Sequence, residues 1–440
     1  MSTLCNIQSC SQVQVPQSTF SALPSPTRNR SRSPRRTRCQ SRCRQAACTH
    51  KQALTFGLKD AMELVASNKK FYHKRHMLPV GTVIDMFNYR QGAREKDFFA
   101  TEVGLEMRGL CFVDGKRFLA LPKFFNLDEV SSSSFQAVKD KTIVSITEKV
   151  DGSLIRFIRV GDALVAKSKM CLDNEMTKAA NDLLASNAHL HAFVQHTLER
   201  GIAAHFEYVG PTNQIVLFYE MPRLVLHSAR CERTGRFLDL ADIADGHLDV
   251  VTSFPIETLQ RLKDRCMTEK GREGYVIQFS DGQLVKMKTL WYLEQHAGWQ
   301  QKEPLRYKVH GVELAKGAIL KMILNNTLDD IKSQCSTSTA LREELDKVEE
   351  AVLKYLSHEV EKLQALIDSY GNDLAILAAK CKAQQHCTFL ERVMPTYLHS
   401  HRVDEEELFE CVAEDMRRAD AGTGLLVQML APSCKLQVAN

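Results

Sequence analysis

Thr147-Glu148-Lys149-Val150-Asp151-Gly152-Ser153-Leu154 is the stretch on which the reading of this 440-residue chain turns. It contains Lys-x-Asp-Gly, the spacing in which a lysine can act as a nucleophile toward a nucleotide. A lysine amine attacks an α-phosphorus only when neutral, so such a lysine needs burial or neighbouring cations to lower its pKa. Asp151 can turn a carboxylate into the same pocket or shape the loop instead of doing chemistry. Gly152 lets the backbone pass close to a nucleotide. Four residues alone are equally compatible with an exposed turn at a strand end, so the surrounding chain has to decide.

Working outward, Leu154 to Val160 and Ala163 to Lys169 flank a Gly161-Asp162 turn and predict a hairpin. Alternation along a strand places Lys167 and Lys169 on one face, returning a cation toward Lys149. Residues 174–200 carry an apolar stripe (Ala179, Leu183, Leu190, Phe193, Val194, Leu198) ended by Gly201, which predicts one amphipathic helix. Ala203 to Pro211 predicts a strand carrying Glu207 among apolar neighbours. Two more strands are expected at Ile215–Tyr219 and Arg223–Ser228. Arg272 to Phe279, led by Glu273-Gly274, turns at Asp281-Gly282 and returns as Leu284 to Lys288. Lys286 and Lys288, two apart, share a face there, where two like charges suit water or a bound anion such as a triphosphate. Upstream, a helix is expected from Leu58 to Lys70. Strands are expected at Val83–Tyr89, Glu106–Val113 and Phe118–Leu121, followed by the aromatic, lysine-bearing segment Pro122 to Leu127.

Beyond Tyr292 the strand signals stop. Leu341, Leu345, Val348, Val352, Leu356, Val360 and Leu363 mark a long amphipathic helix, and Leu374–Leu390 and Glu405–Met416 predict two more. The expected fold class is therefore α+β: a domain of antiparallel sheets with flanking helices over residues 58–300, then an all-helical domain over 301–440. Residues 1–57 form a basic, Ser- and Arg-rich tail. Residues 1–59 hold eight Arg and two Lys without Asp or Glu, +10 in all, so a net charge of +5 leaves −5 for the remainder. Such composition cannot bury enough apolar surface to fold and suits a transit peptide to a chloroplast or mitochondrion, ahead of nuclear or cytoplasmic residence. No run of 18 apolar residues suggests a membrane span. The 14 Cys include no Cys-x-x-Cys pair, which argues for thiols in a reducing, intracellular setting. Cys381, His386 and Cys387 read as ordinary helix residues rather than metal ligands.

Several separated segments together resemble the phage-type single-stranded RNA ligases (the RNA ligase 1 group) of the covalent lysyl-nucleotidyltransferase superfamily. They are Phe87-Asn88-Tyr89-Arg90, Met107-Arg108-Gly109, Lys123-Phe124-Phe125-Asn126-Leu127, Lys149-Val150-Asp151-Gly152-Ser153-Leu154, Lys167-Ser168-Lys169, Phe206 to Asn213, Glu273-Gly274-Tyr275-Val276, and Lys286-Met287-Lys288 with Trp291-Tyr292. The resemblance spans about residues 58–299 and, more loosely, the helical C-terminus. It implies that Lys149 becomes adenylylated, and that Arg108, Lys123 and Lys169 contact phosphate. Tyr89 and Phe125 would line the nucleotide pocket beside Gly152. Glu207 would take the ribose or a metal-bound water, Glu273 would take part in metal binding and later steps, and Lys286 and Lys288 would hold the ATP phosphates. The implied cofactors are ATP and Mg2+. The implied activity joins 5′-phosphate and 3′-hydroxyl RNA ends through lysyl-AMP and adenylylated RNA, with single-stranded or broken-loop RNA, tRNA among them, as substrate. No Gly-x-x-x-x-Gly-Lys-Ser/Thr loop is present, so end healing would fall to a kinase or phosphatase acting in trans. The alternative is a nucleotidyltransferase relative acting on DNA or on RNA caps; those enzymes usually append a β-rich fold where this chain turns helical. The oligomeric state is not legible.

Overall fold

In the computed structural model, residues 53–418 are described, apart from 79–80, 298–305, 310–311, 335–338, 396, 398–402 and 404. The expectations for residues 1–52 lie outside the described residues. Fifteen strands are described: β1 Phe71–Met77, β2 Val83–Tyr89, β3 Leu110–Val113, β4 Lys116–Phe118, β5 Phe125–Asn126, β6 Ile143–Lys149, β7 Ser153–Val160, β8 Ala163–Lys167, β9 Ile202–Val209, β10 Arg223–Cys231, β11 Ser253–Phe254, β12 Gly274–Phe279, β13 Leu284–Lys288, β14 Arg306–Val309 and β15 Val312–Ala315. They form sheets ordered β1-β2-β3-β4, β10-β9-β7-β8 and β11-β6-β12-β13-β5, with β14-β15 a separate hairpin. Pairing is antiparallel throughout except between β13 and β5.

The helices are α1 Leu58–Ser67, the single turns α2 Glu95–Phe98 and α3 Phe135–Val138, then α4 Glu175–Ser186, α5 Ala188–Glu199, α6 Leu259–Thr268, α7 Leu290–Ala297, α8 Lys316–Leu324, α9 Leu328–Gln334, α10 Thr339–Tyr370, α11 Leu374–Ala383 and α12 Glu405–Arg418. The fold is α+β, with antiparallel sheets and a helical C-terminal region.

Several local expectations are corrected. The helix expected over 174–200 is two helices. Asn187 ends α4 in an extended conformation and caps α5, its side chain accepting from the Leu190 N–H, a competition that Asn wins readily at helix ends. Glu106 and Met107 belong to a 3₁₀ turn (Gly104–Met107) rather than to β3. Ile215–Tyr219 is not a strand but part of the loop from β9 to β10. β8 stops at Lys167, so alternation does not carry to Lys169. The helical region opens with the β14-β15 hairpin, and the helix expected over Leu374–Leu390 is interrupted after Ala383, with a π-turn at Phe389–Val393.

Packing follows burial of one face of each element. α4 and α5 cover the β10-β9-β7-β8 sheet through Ala180, Leu184, Phe193 and Val194 against Ile155, Phe206 and Leu226. α6 covers the sheet that holds β6, β12 and β13 through Leu259, Leu262 and Cys266 against Ile146, Ile277 and Val285. The buried seam of α10 (Leu345, Val348, Val352, Leu356, Val360, Leu363) packs with α8, α9, α11 and α12, and Leu293 of α7 joins the same core. Burial at about 25 cal/mol per Å² drives each of these contacts.

The helical region also clamps the sheets with polar ties. Arg342 of α10 donates to the carbonyls of Asp128 (3.0 Å) and Glu129. Arg94 pairs with Asp346 at 3.2 Å and Glu349 at 2.9 Å, and Arg90 meets Glu405 and Glu406 of α12.

Candidate active site

Strand register builds the centre of the site. β12 lies between β6 and β13, and Gly274 faces Lys149 on one side and Lys288 on the other. A Cβ at Gly274 would collide with the Met287 carbonyl, so only glycine allows this close three-strand alignment. Glu273, one residue earlier, is buried. Its Oε1 lies 2.9 Å from Lys149 Nζ and 3.2 Å from Lys288 Nζ, and its Oε2 is buried with no protein partner. One carboxylate thus fixes two lysines from the strands on either side of β12.

Asp151 acts on the loop rather than on the pocket. It is buried. Its Oδ2 accepts the N–H groups of Val216 (2.9 Å) and Leu217 (2.8 Å), and its Oδ1 accepts Tyr292 O–H at 2.7 Å. Gly152 is likewise placed by protein: a Cβ there would run into the Tyr208 carbonyl and approach Glu207 Cγ to 3.0 Å. Gly152 therefore allows β7 to pass β9.

Glu207 lies on β9, an inner strand of its sheet. Burial pushes its carboxyl up to about 7, against the pull of Lys149 and with the help of Glu273. On β10, His227 Nε2 sits 3.8 Å from Glu207 Oε2; burial, with Arg108 and Lys149, pushes this imidazole down to about 3, so it is neutral near pH 7.

The further cations converge. Crowding by surrounding protein lowers Lys169, reinforced by Arg108, Lys123 and Lys286, although the residue itself is exposed. Burial likewise lowers Lys286 to about 8, opposed by Asp330. Burial alone would also lower Lys123, but Tyr89, Glu129 and Asp329 overcome it and hold the ammonium charged. Lys123 Nζ lies 3.2 Å from Glu129 Oε1 and 4.9 Å from the Phe125 ring centroid, with Tyr89 at 5.7 Å. Phe125 is buried against Phe98 and Phe99. Arg108 lies over Phe124 at 5.9 Å, and its Nη1 is buried without a protein partner. The residues expected to form the site therefore do come together. The exception is Lys167, whose ammonium is buried and donates to the Gly109 and Ser168 carbonyls.

Sequence reasoning missed what α9 brings. Asp330 Oδ2 lies 2.7 Å from Lys288 Nζ, and its Oδ1 lies 3.8 Å from Lys286 Nζ and accepts from Asn126 at 3.1 Å. Asp329 Oδ2 lies 3.7 Å from Lys123 Nζ. Burial would raise the Asp330 carboxyl, but Lys288 and Lys286 hold it far below the usual carboxylate range. Asp329-Asp330 in a first helical turn is an ordinary sequence feature, so nothing pointed to this role. His227 was missed because a lone histidine in a strand carries no signal.

A divalent cation with a nucleotide's phosphates fits this donor set. Glu207 and the free Glu273 Oε2 are hard oxygen ligands, and Mg2+ uses one or two carboxylates plus phosphates rather than a protein cage. Among the described residues no cluster of three or more His, Cys, Asp or Glu forms a metal site by itself.

A strand-end lysine held by a carboxylate, a Lys-x-Lys strand on the far side of β12 and a group of converging cations are the arrangement a covalent lysyl-nucleotidyltransferase would use. A family model described as RNA ligase matches residues 106–294, which contain Arg108, Lys123, Lys149, Glu207, Glu273, Lys286 and Lys288. Over those residues the chain is similar to this RNA ligase family. A relative from Thermovibrio ammonificans, named as a candidate RNA ligase, is 25% identical over 398 residues, covering 86% of this chain and 99% of its own. Among solved structures, a Naegleria gruberi RNA ligase variant with ATP and Mn is 20% identical with a TM-score of 0.31, over 37% of this chain and 53% of its own. This chain thus spans about half of that protein. An archaeal ATP-dependent RNA ligase is 13% identical with a TM-score of 0.40, over 70% and 79%.

Proposed function

We propose that this ATP-dependent RNA ligase joins 5′-phosphate and 3′-hydroxyl ends through lysyl-AMP and adenylylated RNA. The observation that carries this reading is Glu273 holding Lys149 and Lys288 on the two strands that flank β12, 2.9 and 3.2 Å from one oxygen. That geometry sets the attacking amine beside a phosphate-binding cation, the positioning a phosphoryl displacement needs.

In the first step the Lys149 amine, once deprotonated, attacks the α-phosphorus of ATP, and pyrophosphate leaves. Lys286, Lys288, Lys123, Lys169 and Arg108 bind the phosphates and offset charge that develops on their oxygens. Tyr89 and Phe125 line the nucleotide side of the pocket. AMP then passes to an RNA 5′-phosphate, and a 3′-hydroxyl displaces it, sealing the strand. Glu207 and Glu273 would hold Mg2+, which would supply further positive charge at the reacting oxygens.

The substrate class is single-stranded or broken-loop RNA, tRNA included, with healing of damaged ends left to a kinase or phosphatase in trans. Residues 58–300 serve as the adenylyltransferase part and 301–440 as the helical part. The basic tail directs the chain to an organelle; an intact N-terminus in cytosolic or nuclear fractions would contradict that. The substrate reading is tested by comparing the sealing of 5′-phosphorylated single-stranded RNA with that of nicked duplex DNA. RNA sealing should be faster, and the reverse ranking would refute it.

A further inference from the structure

The loop from Gly210 to Pro222, between β9 and β10, is tied to the nucleophile segment on one side and bare on the other. Ser153 O–H donates to Asn213 Oδ1 at 3.0 Å, and Asn213 Nδ2 donates to the Tyr208 carbonyl at 2.9 Å. The Val216 and Leu217 N–H groups both donate to Asp151, two residues from Lys149. Asp151 N–H donates to Tyr219 O–H at 3.4 Å, and the Tyr219 ring packs with Val150, Val209, Val225 and Val251. These ties fix the backbone of the loop.

Yet Ile215, Phe218 and Met221 remain 46%, 62% and 66% exposed. Eleven large hydrophobics are exposed among the described residues, and three of them fall in these seven positions. A connection that only closed two strands would present polar residues there. Glu220 and Arg223, also exposed, cancel in charge, so the surface has little to offer a phosphate. Its chemistry matches the face of an unpaired base, which stacks on an exposed aromatic and gains little from net charge.

We infer that this loop is a stacking platform for a base of the single-stranded RNA end being sealed, with Phe218 as the stacking residue. The inference rests on the ligase reading and adds to it the surface that receives RNA. Phe218 follows Leu217, whose N–H is bound to Asp151. A base stacked on it is therefore set beside the segment that carries Lys149, and the same anchors keep the platform in register with the nucleophile. Phe218 is not among the residues assigned to the nucleotide, so on this inference it acts on RNA binding and not on reaction with ATP.

The full chain and its Phe218→Ala, Phe218→Leu and Phe218→Tyr variants are assayed in two ways: AMP-adduct formation from ATP without RNA, and sealing of pre-adenylylated single-stranded RNA as a function of RNA concentration. All four should form the adduct at the same rate. KM for RNA should rise about tenfold in Phe218→Ala, the scale of one lost base–aromatic stack. Phe218→Leu should resemble Phe218→Ala, and Phe218→Tyr should stay near wild type. Unchanged RNA dependence in Phe218→Ala overturns the inference, as does full function in Phe218→Leu, because an aliphatic side chain has no π-face. Sedimentation across protein concentrations covers the other occupant: a dimer lost in Phe218→Ala assigns the patch to a second copy and also overturns it. A wild-type chain that forms no adduct and seals no adenylylated RNA defeats the ligase reading itself; failure of Phe218→Ala to differ in an active enzyme defeats only the platform.

Discussion

Glu207 shows how the protein holds a carboxylate out of its solution behaviour. Burial favours the protonated form, and the raised value of about 7 reflects that. A group with its folded pKa raised contributes stability fully present below its unfolded pKa, near 4, and lost as pH rises through about 7. Ligand-free protein should therefore lose stability between pH 5 and 8 by on the order of 2 kcal/mol at this residue. In Glu207→Gln the pH-dependent loss should be smaller by that amount, as read from urea unfolding at the two pH values. A Glu207→Gln variant with the same pH dependence as wild type would contradict the buried-carboxyl account. Lys149, Glu207, Glu273, Lys286 and Lys288 were legible in the sequence because each sits in a short motif whose spacing survives folding. Asp151 and Gly152 were legible as residues, and a loop-shaping role was open for Asp151, but their partners, Val216, Leu217, Tyr292 and β9, are distant in sequence.

At the scale of elements, α9 is the part that composition and periodicity did not reveal. Its seven residues place Asp330 against Lys286 and Lys288 and Asp329 against Lys123. In the ligand-free protein these carboxylates neutralise cations that ATP phosphates would otherwise neutralise. Removing one partner of a buried pair leaves an uncompensated charge and costs about 3–5 kcal/mol. Asp330→Asn should therefore lower the melting temperature without nucleotide, and ATP should recover more stability in the variant than in wild type, because a ligand that binds only the folded state stabilises it. Equal ATP-induced shifts in the two proteins would show that Asp330 does not share the phosphate site. Strand pairing was largely readable, since alternation and Gly turns mark β7, β8, β12 and β13. The misplaced elements were those decided by local hydrogen bonding: Asn187 splitting α4 from α5, and Asp151 drawing the 210–222 loop away from strand geometry.

Across the whole molecule, the α+β architecture was visible in the shift from strand to helical periodicity after Tyr292. How the two parts meet was not. Arg342 to Asp128 and Glu129, Arg94 to Asp346 and Glu349, and Asp330 to Asn126 and Lys288 are all contacts between surfaces whose charges look ordinary in the sequence. They make the helical region part of the phosphate site's surroundings instead of an appendage. The central claim concerns a single covalent bond, from Lys149 Nζ to the α-phosphorus of ATP. It is tested by incubating the full chain with Mg2+ and ATP labelled at the α-phosphate, followed by peptide mapping. The account predicts an acid-labile AMP adduct on the peptide containing Lys149 and none in Lys149→Ala; no adduct in wild type, or one that persists in Lys149→Ala, would contradict it.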